Sequence, residues 1–169
     1  MESKVYEDHG LISNQDDVIS ISSAALSELL QAVLAKGADF RFKARGTSMT
    51  PFIRNGDIIT ITSVKKVEIG SIVAFSRPGT GQLVVHRVVA KRKEEVYIMG
   101  DGSSDHTDDW VPIKNIIGHL VRIERNGQDI HLGFGIEKFG IAFLSRLKLL
   151  TQLRIMLAKF RHTDRDQAG

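Results

Sequence analysis

The chain has 169 residues, 42% of them hydrophobic and 25% charged, with a formal net charge of +3. That length and apolar share suit one folded domain with a core of its own, not a disordered chain. The absence of cysteine excludes disulfides, thiol catalysis and cysteine-ligated zinc, and so small a net charge does not by itself imply nucleic acid. The charge is unevenly placed. Residues 1–40 carry two lysines against seven acids, and residues 122–169 carry nine Lys or Arg against five acids.

In chain order, residues 1–21 are polar and acidic and read as a flexible arm, in which residues 18–21 (Val-Ile-Ser-Ile) have the composition of a short edge strand. No charged-then-apolar targeting pattern is visible there. No window reaches the ~18 uncharged apolar residues of a membrane span. Ser22 or Ser23 is placed to cap a helix that runs to about Lys36. Leu26, Leu29, Leu30 and Val33 share one face of it, and Gly37 stops it.

From Asp39 to Leu132 the pattern is β. Phe40, Phe42 and Ala44 alternate with polar residues as in a half-buried strand, and Ile59 and Ile61 continue the alternation after a loop. Gly70 and the turn Arg77-Pro78-Gly79-Thr80-Gly81 bound another strand. Residues 82–93 and 95–99 read as a long strand and its return. Residues 116–125 and 129–132 flank Asn126-Gly127, a tight-hairpin signal. The expectation is a mainly β fold: a coiled antiparallel sheet or barrel, with an N-terminal helix and a C-terminal amphipathic helix. The expected organisation is an arm over 1–21, a catalytic β domain over 22–135, a basic helix over 136–162 and a disordered tail over 163–169.

Residues 139–161 return to helical period, with Phe139, Phe143, Leu147, Leu150, Leu153, Leu157 and Phe160 every three or four residues. Arg146, Lys148, Arg154, Lys159 and Arg161 accompany them, and no acid stands between Glu137 and Asp164. Two readings fit: a helix docked on the β domain, or a helix lying in an anionic membrane interface. The second leads to an expected cytoplasmic location, peripheral on the inner face of the membrane. The run Lys91-Arg92-Lys93 reads as a solvated strand end. With no recognition helix beside it, nucleic acid is not an expected partner.

The chemistry centres on Gly46-Thr47-Ser48-Met49-Thr50-Pro51, which lies between two β runs. A Gly/Ser/Thr/Pro segment of this kind is either a plain turn or a rigid support that exposes a nucleophilic hydroxyl. A serine needs a base, and His86 sits within the apolar run Leu83-Val84-Val85-His86-Arg87-Val88-Val89. There it is a candidate general base or a core histidine. Acids are clustered at Asp101, Asp105, Asp108 and Asp109; most acids in such a cluster are simply solvated. Asp101-x-Ser103-x-Asp105 begins like a calcium loop, but the sixth position is His106 and the twelfth is Pro112. No metal or cofactor is expected.

Gly46-Thr47-Ser48-Met49-Thr50-Pro51, followed by Gly56-Asp57-Ile58-Ile59-Thr60-Ile61, resembles the nucleophile box of the signal peptidase I family of serine proteases. Gly70-Ser71-Ile72-Val73-Ala74-Phe75, Val85-His86-Arg87-Val88-Val89 and Met99-Gly100-Asp101 resemble that family's later boxes, in the same order. The resemblance covers residues 40–125. Histidine, where bacterial members usually carry lysine, is similar to the archaeal and endoplasmic reticulum branch. The family's N-terminal membrane anchor has no counterpart here. The resemblance implies the β catalytic fold shared with self-cleaving SOS repressors, and a serine endopeptidase that cuts a signal or leader peptide after a small residue. It implies Ser48 as nucleophile and His86 as base. Asp108 is the expected orienting acid, with Asp105 or Asp109 as substitutes, and Asp101 the structural acid that pins the loop. The N–H of Ser48, with Thr47, would serve the oxyanion. Met49, Phe52 and Ile53 would floor the site, and the strand edge of residues 40–45, Phe42 included, would take the peptide. An unperturbed histidine base implies activity lost as pH falls through roughly 6–7. The self-cleaving repressors supply an alternative, although the chain's one Ala-Gly bond is Ala168-Gly169. A non-catalytic binding module on the same fold is a third.

Overall fold

The computed structural model describes residues 9–14, 17–102, 109–131 and 137–146. The chain opens with a hairpin, β1 (His9–Asn14) and β2 (Asp17–Ser22), paired antiparallel from His9↔Ser22 to Asn14↔Asp17. Strand structure therefore occupies much of the stretch expected to be a flexible arm. β2 takes in residues 18–21, whose composition suits a strand, and β1 adds Leu11 and Ile12, which suit a paired strand as well. Helix α1 (Ser23–Ala35) follows, capped by the Ser22 hydroxyl, which accepts from the Ala25 N–H at 3.2 Å. It buries Leu26, Leu30 and Leu34, while Leu29 of the expected stripe stays exposed. Gly37, at φ 77°, ends it with its N–H on the Leu34 carbonyl.

Eight strands form the main sheet: β3 (Phe40–Lys43), β4 (Ile58–Ser63), β5 (Ile72–Ser76), β6 (Leu83–Arg92), β7 (Glu95–Met99), β8 (Asp109–Pro112), β9 (Ile116–Arg125) and β10 (Gln128–Ile130). The order is β3-β4-β9-β5-β6-β7-β8, with β10 paired to β9, and every pairing is antiparallel. The fold is mainly β and the sheet is open, with β3 and β8 at its edges. Asn126 and Gly127, at φ 52° and 76°, make the β9–β10 turn, as the Asn-Gly pair predicts. The strand β8 was not legible, because its residues extend only against β7.

Burial explains the strand patterns. Ile72 and Ala74 of β5 enter one core with Leu26, Leu30, Phe42, Ile59 and Ile61. Val73 and Phe75 enter a second with Val84, Val88, Val96 and Ile98. Both faces of β5 are thus covered, so it reads as continuously apolar instead of alternating. Each fully buried side chain of this size contributes roughly 1.5–3 kcal/mol. Where α1 crosses β9 the chain needs Gly118: a Cβ there would lie 2.4 Å from an Ile61 methyl and 2.8 Å from one of Leu34.

Helix α2 (Glu137–Arg146) packs through Ile141, Ala142 and Ser145, with Ala142 against Val89 and Met99. Phe139 and Phe143 face away from that contact, 50% and 61% exposed. The rest of the expected helix, from residue 147, and the tail lie outside the described residues. No helix among the described residues is long and apolar enough to cross a membrane.

Candidate active site

The segment joining β3 to β4 is closed by its own backbone. The Ala44 N–H donates to the Asp57 carbonyl at 2.7 Å, and the Gly56 N–H donates to the Ala44 carbonyl at 2.9 Å. Gly46, at φ 95°, donates to the Asn55 side chain at 3.2 Å. Inside this closure, the Thr50 N–H bonds the Thr47 carbonyl and the Ile53 N–H bonds the Met49 carbonyl, each at 3.0 Å. Thr50–Pro51 is a cis peptide. Ser48 sits half-buried at the start of this turn, beside buried Met49. Neither the Ser48 nor the Met49 N–H donates to a backbone carbonyl among the described residues.

Two ion pairs fix the segment from outside. Arg125 of β9 grips both oxygens of Asp57, at 2.9 and 2.8 Å, and the Phe52 carbonyl at 3.0 Å. Burial raises the Asp57 pKa, but the bonds from Arg125 and the Arg54 N–H outweigh it, and the carboxyl is held below its ordinary value. The second pair is wholly buried. Asp101 accepts from Arg87 Nε and Nη2 at 2.8–3.0 Å and from the Ser145 hydroxyl at 2.8 Å. Arg87 also donates to the Gly70 carbonyl at 2.9 Å and lies over the Phe52 ring, 5.2 Å from its centre. The next residue, Gly102, donates its N–H to the Ser48 carbonyl at 2.7 Å. The Asp101 turn is thereby tied to the serine itself.

A cavity of about 350 Å³ opens beside this segment. Its lining includes Phe42, Thr47, Ser48, Met49 and Ile53 on one side and residues 83–86 of β6 on the other, so Ser48 and His86 border the same space. His86 is 2% exposed, and its Nδ1 has no hydrogen-bond partner among the described residues. Burial first, and the Arg77 charge second, push its pKa down to about 4. The imidazole is therefore neutral at physiological pH and can accept a proton.

The structure brings Ser48, Thr47, Met49, Phe42 and His86 to one cavity and places Asp101 behind it, paired with Arg87. Asp105 and Asp108 lie outside the described residues. Asp109 is exposed on the far edge strand, with β7 between it and β6, and its carboxylate accepts from the Trp110 N–H at 2.7 Å. Phe52 is buried against Arg87 and does not line the cavity. The calcium-like spacing falls mostly outside the described residues; among those described, no cluster of three metal-ligating side chains occurs.

Sequence reasoning missed Arg87, Ser145 and the Arg125–Asp57 pair. Arg87 had a signal: a guanidinium inside an apolar run demands a buried acid. Ser145 and Arg125 had none, since their partners lie 44 and 68 residues away.

No curated protein matches this chain. A family model described as Peptidase S24-like matches residues 9–121, which takes in the β1–β2 hairpin, the serine segment, His86 and Asp101. The chain belongs to the Peptidase S24-like family.

Proposed function

We propose that this protein is a serine endopeptidase that cuts a signal or leader peptide after a small residue. Ser48 is the nucleophile and His86 the general base. The observation that carries this reading is the shared cavity: a serine on a braced turn and a neutral, nearly buried imidazole border one space. His86 takes the hydroxyl proton as Ser48 Oγ attacks the peptide carbonyl, and the N–H of Ser48 meets the oxyanion. The imidazolium then returns the proton to the leaving amine, and water releases the acyl group from Ser48.

Both oxygens of Asp101 are taken by Arg87, and one also by Ser145, so Asp101 braces the serine segment. Orientation of His86 falls to Asp108. The peptide adds as a strand. β3 is an edge, and among the described residues 83–86 of β6 pair only with β5, because the β7 pairing begins at Arg87. Cleavage of peptides with a small residue before the cut tests the reading, with wild type compared against Ser48→Ala. Equal behaviour of the two proteins ends it.

A second reading, self-cleavage of the SOS-repressor kind, draws support from the family match. Against it stand a histidine in place of lysine and the position of the one Ala-Gly bond, Ala168-Gly169. Incubation at raised pH followed by intact mass separates the two: a discrete cut upstream of Ser48 favours self-cleavage. A non-catalytic module would show neither activity.

A further inference from the structure

The arginines of this domain fall into two sets. Arg41, Arg87, Arg92, Arg122 and Arg125 each pair with a carboxylate. Arg45, Arg54 and Arg77 have no carboxylate within ion-pair distance among the described residues. Two of those three, Arg45 and Arg77, border the cavity beside Ser48. Arg45 and Arg54 belong to the serine segment, and Arg45 and Arg77 line the cavity together with Lys43. Among the described residues, no Asp or Glu lines it. Among the described residues, the Arg77 guanidinium has one bond, from Nη1 to the Gln82 side chain at 3.1 Å. Among the described residues, the arginines that line the cavity are thus ones without a carboxylate partner.

We infer that the peptide taken into this cavity carries acidic side chains beside its scissile bond. The inference deepens the reading of Ser48 as a nucleophile and rests on it. Carboxylates on the peptide complement Arg45 and Arg77, and the positive rim raises their local concentration. A carboxylate next to Arg77 also offsets the charge that helps to keep His86 a weak base.

The test uses three peptides that share one small residue at the cut and carry glutamate, glutamine or lysine flanks. At low salt, kcat/KM for the glutamate peptide should exceed that for the glutamine peptide by about tenfold or more. The lysine peptide should be the poorest. The gap should shrink as salt rises, and Arg45→Glu should narrow or invert the order. Binding of the same peptides to Ser48→Ala, followed by fluorescence anisotropy, separates this inference from catalysis. Preferential binding of the glutamate peptide without cleavage by wild type sustains the acidic preference and sinks the nucleophile reading. Cleavage with equal or lysine-favoured rates overturns the acidic preference and leaves the nucleophile standing. Absence of both binding and cleavage overturns both.

An independent observation concerns the opposite end of α2. Ile69, Phe139 and Phe143 are 41%, 50% and 61% exposed. Gly70 meets the backbone of Lys138 so closely that a Cβ would lie 2.9 Å from its carbonyl oxygen, which brings the neighbours Ile69 and Phe139 to one surface. Cations surround it: Lys65 and Lys66 are exposed on the same loop, and Lys91 Nζ reaches the Val67 carbonyl at 3.2 Å. Glu68 is engaged by Lys66 and Lys138. Beyond Arg146 the sequence repeats leucines at the Phe139–Phe143 spacing, with cations and no acid before Asp164. An apolar patch with a basic rim suits an anionic bilayer interface, and we propose that this face seats the protein there.

Co-sedimentation with phosphatidylserine-containing and pure phosphatidylcholine vesicles tests the proposal, alongside a Phe139→Ser/Phe143→Ser variant whose folding is checked by thermal melting. Salt-sensitive binding to the anionic vesicles alone, lost in the folded variant, is the expected result. Absence of binding, or equal binding by the variant, overturns it. So does a dimer that the variant dissociates, since a second copy then occupies the face.

Discussion

Arg87 and Asp101 form a buried guanidinium–carboxylate pair with neither side chain exposed, 14 residues apart on β6 and on the turn after β7. The partners of this pair reach three further places: the Gly70 carbonyl, the Phe52 ring and Ser145 of α2. The residue before Arg87 is His86, and the residue after Asp101 holds the Ser48 carbonyl. The pair is thus adjacent in the chain to His86 and tied through Gly102 to Ser48.

Removal of one partner strands the other charge in the interior. Asp101→Ala should therefore cost about 3–5 kcal/mol, a large share of the stability of an ordinary domain. Ser145→Ala removes a single hydrogen bond and leaves the ion pair, so its cost should be about 1 kcal/mol. Urea denaturation of both variants checks the order. Equal costs would contradict the picture of Asp101 as the shared anchor.

Arg125 braces the serine segment more exposed to water than Arg87 does. Arg125→Met leaves Asp57, 3% exposed, to the N–H of Arg54 alone. It should destabilise by roughly 1–3 kcal/mol and lower kcat more than it raises KM, because Ser48 loses its fixed position. The Asp57 carboxyl is held low when folded, so its contribution is present above its ordinary pKa and fades as pH falls toward the folded value. Acid titration of wild type against Arg125→Met should show that loss in wild type only.

His86 gives a second acid dependence. Its folded pKa is about 4 against an ordinary 6.5. Between those values the unfolded chain binds a proton that the native chain refuses, so stability falls as pH drops from 6.5 to about 4 and levels below. The loss amounts to about 3 kcal/mol. The acidic limb of kcat/KM should shift the same way, toward pH 4 instead of the 6–7 of an unperturbed histidine. Arg77→Gln removes the second cause of the shift and should move the limb upward. Histidine Cε1–H chemical shifts measured against pH check both.

The sequence disclosed those features whose cause is local. Alternation at Phe40, Phe42 and Ala44, the Ser22 cap and the Asn126-Gly127 turn all act within a few residues, and each strand or helix they mark is present. Ser48 and His86 stood out because a rigid turn and a polar ring in an apolar run are local anomalies. In the first 22 residues only 18–21 looked strand-like, because β1 shows itself by pairing with β2, and β8 likewise shows itself only by pairing with β7. The brace around the serine was hidden for the same reason. Arg87 finds Asp101, and Arg125 finds Asp57, only after the sheet has ordered its strands. The depressed His86 pKa follows from burial, which one sequence does not display.

Acylation of the serine tests the central claim most directly. Full-length protein is treated with a fluorophosphonate probe, and the adduct is located by intact mass and peptide mapping. One label on Ser48 is expected, absent from Ser48→Ala and formed far more slowly in His86→Ala. No adduct on the folded wild-type protein, or the same adduct on Ser48→Ala, would contradict the assignment of Ser48 as the nucleophile.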